Sequence, residues 1–255
     1  MFIRLVSLSY MLYLVLPIAL ILVGSFGETW VNALLPEGST TQWYLELWED
    51  RSFIRAFITS LIVGAASCAI NTLLCVPLAY SLVHGARQKN RFATRLLTLL
   101  PVAVPTITLG FGYILVFNTD AMPWLGSTPL LIAAHVVLTL PYLTQALVTD
   151  LRHQRLDRLE EAAATLGARP IQRFFGIIVP NLRASLLSGL VMVAALSIGE
   201  FQLSNLIVGF QNRTYPVVLL QAFYGATGFA CAATVILLLL ATVASLTSTL
   251  ASKKA

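Results

Sequence analysis

The sequence predicts an all-α integral membrane protein of six transmembrane helices, with both termini in the cytoplasm. Three observations lead there: an excess of apolar residues, long gaps between charges, and a one-sided distribution of lysine and arginine. Of 255 residues, 58% are hydrophobic and 11% charged, with a mean hydropathy of +0.83. A soluble domain carries roughly 25% charged residues. Too little polar surface is left to face water, so lipid has to be the main solvent.

The charge gaps locate the helices. No Asp, Glu, Lys or Arg occurs between Arg4 and Glu28, Arg55 and Arg87, Arg95 and Asp120, Asp120 and Asp150, Arg183 and Glu200, or Arg213 and Lys253. A bilayer core is crossed by about 20 apolar residues in a helix, and one span per gap gives 5–26, 56–83, 95–117, 129–149, 184–208 and 228–250. The first resembles a signal peptide, with Arg4 ahead of an apolar run and small residues at Gly24-Ser25-Phe26-Gly27. Its length suits a retained helix better. The fifth is the weakest, because Glu200, Gln202, Ser204 and Asn205 interrupt its outer half. Pro77, Pro101, Pro105 and Pro141 lie in or beside spans and are expected to kink them, which membrane helices tolerate when neighbours satisfy the freed carbonyls.

Orientation follows from the basic residues. Arg4, the loop 84–95, the loop 150–183 and the pair Lys253-Lys254 hold thirteen of the sixteen lysines and arginines on one side. The opposite side has Arg51, Arg55 and Arg213 beside seven of the eleven acidic residues. The basic side is the cytoplasm, and residues 1–255 read as a single transmembrane domain. The outer loop 27–55 carries Trp30, Trp43, Tyr44 and Trp48, which suit an interfacial belt, with 41–50 as a short surface helix.

Several chemistries lack their residues. There is no GxxxxGK[ST] loop to cradle nucleotide phosphates and no HExxH or GxSxG motif, so an enzyme is not predicted. Cys68, Cys75 and Cys231 are odd in number and lie in apolar runs, which suits small buried hydrophobes rather than disulfides or a metal site. The basic residues are not interleaved with aromatics as a nucleic-acid groove requires. His84 and His153 fall at cytoplasmic helix ends. His135 lies mid-membrane and reads as a hydrogen-bonded packing residue, a proton relay being the alternative. Glu200 stands either on the transport pathway or at the outer interface, solvated or paired with Arg213. Ser60, Gly64, Ser67 and Asn71 form one small, polar stripe on the second span. Both a helix-packing seam and a wall of a transport path fit that stripe.

The loop 150–183 is the most informative segment. Asp157-Arg158-Leu159-Glu160 has capping-box form, Glu160 to Leu166 is a run of helix formers, and Gly167 suits a left-handed helix end. Pro170 suits the first turn of a second helix over Ile171–Val179. The result is a helix–turn–helix knob, suited either to being gripped by a protein or to lying on lipid.

Within it, Glu161-Ala162-Ala163, three residues, Gly167, nine residues and Ile177-Ile178-Val179-Pro180 resemble the EAA motif of binding-protein-dependent ABC importer permeases. That motif reads EAA, three residues, G, nine residues, IxLP; Val179 in place of leucine is the single departure. The resemblance extends to the Pro101–Pro105 turn and to Pro180–Gly209. It implies a type I importer transmembrane fold in a bacterial inner membrane. It also implies four kinds of partner: a cytoplasmic ABC ATPase dimer, a second permease subunit (identical or paralogous), an external solute-binding protein and membrane lipid. ATP and Mg would sit on the ATPase, with no cofactor on this chain. Carried onto this sequence, Glu160, Glu161, Ala162, Ala163, Gly167, Ile177 and Pro180 would couple the permease to the ATPase, Glu160 and Glu161 by capping or pairing at its surface. Ser60, Ser67, Asn71 and Glu200 are the candidates for the path. Ser197-Ile198-Gly199-Glu200 is similar to phosphonate, iron and sulfate members, which suggests 2-aminoethylphosphonate or a related small polar solute. An ion-gradient-driven secondary transporter is the alternative.

Overall fold

The computed structural model describes residues 2–31, 33–84, 96, 100–154 and 156–252. Most of the expected basic loop 84–95, with Arg87, Lys89, Arg91 and Arg95, lies outside the described residues, as do Arg155, Lys253 and Lys254. The chain forms two compact units, one of Met1–Ile58 with Tyr215–Val243 and one of Thr59–Thr214 with Ala244–Ala255.

The first unit begins with α1 (Phe2–Gly24), whose apolar window buries none of its residues within the chain. A short helix α2 (Gln42–Glu49) follows, matching the helix expected over 41–50. The aromatic belt divides here. Trp43 donates its indole N–H to the Gly27 carbonyl at 2.8 Å, and Tyr44 donates to Ser25 Oγ at 2.8 Å, while Trp48 stays exposed. α3 (Arg51–His84) opens on Asp50, whose carboxylate accepts the Ser52 and Phe53 N–H groups. It contributes Phe53 to a cluster with Leu47 of α2, Tyr215 and Val218 of α10 (Tyr215–Gly225), and Ala232 and Ala233 of α11 (Thr227–Ser252).

The second unit takes over α3 from Thr59 onward. The third expected span, 95–117, is helical at 100–103 and again in α4 (Thr106–Phe117), and the helix is interrupted at Val104-Pro105. Proline has no N–H and pushes the residue before it out of the helical region, which accounts for the break. A two-residue hairpin, β1 (Asn118–Thr119) with β2 (Met122–Pro123), leads to α5 (Thr128–Gln154). α3 and α5 run through Pro77 and Pro141 without ending.

After α6 (Leu156–Thr165) comes α7 (Pro170–Asn181), whose middle, Phe174–Ile178, is a π-turn between two α-turns. A bend of 66° separates it from α8 (Arg183–Ile198). Where one helix is expected over 184–208, α8 ends at Ile198 and α9 (Gln202–Ile207) starts afresh. By length and composition, three helices among the described residues can cross a membrane: Arg4–Gly24, Arg51–Val83 and Thr128–Gln154. The bent pair α7–α8 makes a fourth if counted as one span.

Candidate functional site

Two features of the second unit carry chemistry: the loop built from α6 and α7, and a buried polar cluster around His135.

The loop is a closed helix–turn–helix. Gly167 has φ +82°, the left-handed conformation that side chains disfavour. The Ala168 N–H bonds the Ala163 carbonyl and the Gly167 N–H bonds that of Ala164, each at 3.0 Å. This pair of bonds is the Schellman closure, which satisfies carbonyls that a helix end leaves open. α7 then starts on Pro170, and the Arg169 N–H donates to Gln172 Oε1 at 2.8 Å. Inward-facing side chains seat the loop. Leu156, Ile178 and Leu182 are buried with Cys75, Val76 and Ala79 of α3 and with Leu143, Leu147 and Leu151 of α5.

The outer surface of the loop carries exposed apolar side chains among polar ones such as Arg158, Glu161 and Arg169. Leu159, Leu166, Ile171 and Phe175 are all exposed, Leu166 to 88%. Glu161 and Ala162 are exposed with them, Ala163 is half-buried, and Ile177 and Pro180 are partly covered. Glu160 departs from the sequence reading. α6 begins already at Leu156, so Glu160 is not the closing member of a cap at Asp157. Its side chain turns inward to 7% exposure. There Glu160 Oε1 accepts a hydrogen bond from the Tyr80 hydroxyl at 2.5 Å and stands 3.4 Å from Arg173 Nη1. Nothing in the local sequence marks this, because Tyr80 is eighty residues away along the chain.

The polar cluster joins α3, α5, α8 and α9. His135 is 1% exposed, with Nδ1 at 2.8 Å from Ser197 Oγ and Nε2 at 2.9 Å from Ser204 Oγ. Ser204 Oγ donates its one proton to Glu200 Oε2 at 2.7 Å. His135 Nε2 must therefore be the donor to Ser204, and a neutral imidazole protonated on Nε2 satisfies the whole chain of bonds. Glu200, 8% exposed, also accepts the Leu203 and Ser204 N–H groups at 2.7 and 2.8 Å. It thereby caps the first turn of α9, which explains why the fifth expected span breaks just there. Arg213 lies over the Phe210 ring, 4.4 Å from its centroid. On the other flank, Asn71 Nδ2 donates to Thr139 Oγ1 at 2.8 Å, and Thr139 donates to the His135 carbonyl at 2.7 Å.

The stripe on α3 lies inside the unit. Ser60, Gly64, Ser67 and Asn71 are all buried, and a Cβ at Gly64 would stand 3.4 Å from Ile198 Cγ1 and 3.9 Å from Ser197 Oγ. Small residues of this kind let helix backbones approach in a membrane, where packing rather than water exclusion holds helices together. The three cysteines are free, Cys75 and Cys231 buried and Cys68 half-buried. No group of His, Cys, Asp and Glu able to hold a metal occurs among the described residues.

A helical fold with apolar helices long enough to cross a bilayer is the build of an integral membrane protein. Residues 76–255 match the model of the family described as binding-protein-dependent transport system inner membrane component, and the chain belongs to that family. It is a non-enzymatic permease component of ABC importers. Among similar proteins is one of Salmonella typhimurium provisionally named a 2-aminoethylphosphonate transport system permease protein, PhnV, 26% identical over 84% of this chain and 79% of its own length. The putrescine transport system permease protein PotI of Escherichia coli is 26% identical over 82% of this chain and 75% of its own. The sulfate transport system permease protein CysW of Synechocystis is 27% identical over 91% and 86%. In fold, the chain resembles a chain of a bacterial alginate ABC transporter crystallised with an alginate-bound periplasmic protein. The TM-score is 0.79 at 15% identity, covering 99% of this chain and 93% of that one.

Proposed function

We propose that this chain forms half of the translocation path of an ATP-driven importer and takes its energy from a cytoplasmic ABC ATPase through residues 150–183. The observation that carries this reading is the two-sidedness of the loop. Its inner residues are fixed to α3 and α5, while Leu159, Leu166, Ile171 and Phe175 are left exposed around the EAA motif. An exposed apolar patch framed by polar residues is the usual mark of a protein contact. In this reading Glu161, Ala162 and Ala163 meet the ATPase, Gly167 sets the angle between the two helices, and Ile177 and Pro180 lead into α8.

The working assembly has a second permease subunit, two ATPases holding ATP and Mg, and a solute-binding protein on the far side. ATP closing the ATPase pair would shift the two loops as rigid bodies and switch the path between its faces. The chain lies in a bacterial inner membrane with six spans and both termini inside, as the arginine and lysine distribution supports. The solute is small and polar. Relatives named for aminoethylphosphonate, putrescine and sulfate support that class, and 2-aminoethylphosphonate is the first solute to try. The burial of Ser60, Ser67, Asn71 and Glu200 supports a packing role for them ahead of a path-lining one.

The test is assembly. Leu166→Glu and Phe175→Glu should leave the permease in the membrane but release the cognate ATPase during purification. Retention of the ATPase by both variants would overturn the docking assignment.

A further inference from the structure

Within α6, Glu160 is the odd residue. Its neighbours Arg158, Leu159, Glu161 and Ala162 are exposed, yet its carboxylate is buried. A buried carboxylate is costly unless paired, and here the pairing joins three elements. Glu160 of α6 accepts from the Tyr80 hydroxyl of α3 at 2.5 Å and faces Arg173 of α7 at 3.4 Å. Phe174, next to Arg173, meets the Tyr80 ring edge-on at 5.3 Å between centroids and 75° between planes. Tyr80 is thus held at both ends, its hydroxyl by α6 and its ring by α7. Apolar packing beneath, through Leu156, Ile178 and Ala79, is non-directional, whereas the hydrogen bond to Glu160 has a fixed geometry.

We propose that Glu160 is a positioning residue that locks α6 and α7 to the end of α3, so that displacement of the loop is delivered to α3 as a rigid-body movement. The proposal rests on reading residues 150–183 as the ATPase-docking loop. It assigns Glu160 a role inside the permease and leaves docking to the exposed residues. The lock acts through Tyr80, so Tyr80→Phe, which keeps the ring against Phe174 and removes the hydroxyl, should loosen it as Glu160→Ala does; Glu160→Gln would keep an amide oxygen able to accept from the Tyr80 hydroxyl. Tyr80→Phe and Glu160→Ala together should be no worse than Glu160→Ala alone, because both delete the same Tyr80–Glu160 bond.

The experiment uses the assembled transporter in lipid vesicles, with spin labels at Leu73 of α3 and Arg158 of α6 on a chain whose three native cysteines are replaced by alanine. The label-to-label distance is read with no nucleotide and with MgATP plus vanadate. In the otherwise native chain the distance should be the same in both states. In Glu160→Ala and in Tyr80→Phe the ATPase should still co-purify, but the distance should change on adding nucleotide by about 2 Å or more, the scale of helix displacements in switching transitions. A distance as invariant in Glu160→Ala or Tyr80→Phe as in the native chain would overturn the lock. Loss of the ATPase from Glu160→Ala would overturn it too, by making Glu160 a docking residue. Leu166→Glu and Phe175→Glu, run alongside, separate the two ideas. If both keep the ATPase, the docking reading fails; if either loses the ATPase while Glu160→Ala and Tyr80→Phe leave the distance unmoved, the lock alone fails.

Discussion

His135 Nε2 stands 3.9 Å from Glu200 Oε2, and the Ser204 hydroxyl bridges them, accepting from the imidazole and donating to the carboxylate. The ion-pair geometry is therefore secondary to a relay of ordinary hydrogen bonds. The carboxylate is spoken for by the backbone of α9, and the histidine holds the serine that completes that cap.

Removing the acceptor should be more damaging than neutralising it. Glu200→Ala leaves two buried N–H groups and a hydroxyl without their partner, at about 1–3 kcal/mol per unsatisfied group. Glu200→Gln keeps one oxygen for them. Thermal inactivation in detergent is expected to quicken markedly for the alanine variant and mildly for the glutamine one. Equal loss in both would show that charge, not acceptor capacity, is what the site needs.

At Gly167 the constraint is conformational. Among the described residues, no atom other than those of Gly167 and its two chain neighbours lies within 4 Å of where a Cβ would sit, so any penalty comes from the left-handed backbone, about 1–2 kcal/mol for an ordinary side chain. Gly167→Val should abolish uptake while the protein still inserts. Gly167→Asn, a residue more at ease with positive φ, should retain part of it. Wild-type uptake by the valine variant would contradict the assignment of this turn to coupling.

Gly189 on α8 presents the opposite case. A Cβ there would meet Leu143 Cδ1 of α5 at 2.5 Å. Gly189→Ala should be absorbed by rotation of the leucine, whereas Gly189→Leu overpacks the seam at a cost of about 1–3 kcal/mol. A lower yield of folded protein in detergent for leucine, but not for alanine, is the expected result.

Orientation can be read by labelling. In a chain freed of native cysteines, Leu166→Cys should react with a membrane-impermeant maleimide in inside-out vesicles only. Phe210→Cys, at an equally exposed position, should react in intact spheroplasts only. The reverse pattern would invert the topology.

The sequence made legible whatever depends on near neighbours. Charge gaps located α1, α3 and α5 to within a few residues, and the helical spacing of Ser60, Gly64, Ser67 and Asn71, four, three and four residues, put them on one face of α3, which is buried. The turn at Gly167 was equally local, since its closing bonds reach back only to Ala163 and Ala164. What lay hidden depends on partners far along the chain. Glu160 on an amphipathic stretch reads as a capping or surface carboxylate until Tyr80 is brought beside it. The break before α9 shows in the sequence only as a weak fifth span. The cap itself is local, Glu200 bonding the Leu203 and Ser204 N–H groups, but the imidazole that holds Ser204 comes from His135, sixty-nine residues away.

The π-turn at Phe174–Ile178 divides the loop into a part of fixed length and a part of adjustable length. From Glu161 to Gly167 every residue is committed to the helix and its closure, so an inserted or deleted residue would swing the remainder by about 100°. The widened turn holds one residue more than an α-turn needs. That stretch can give up a residue and relax to ordinary helical geometry, while the segments before and after it keep their phase. It is a tolerance joint between α6, the helix proposed to meet the ATPase, and α8.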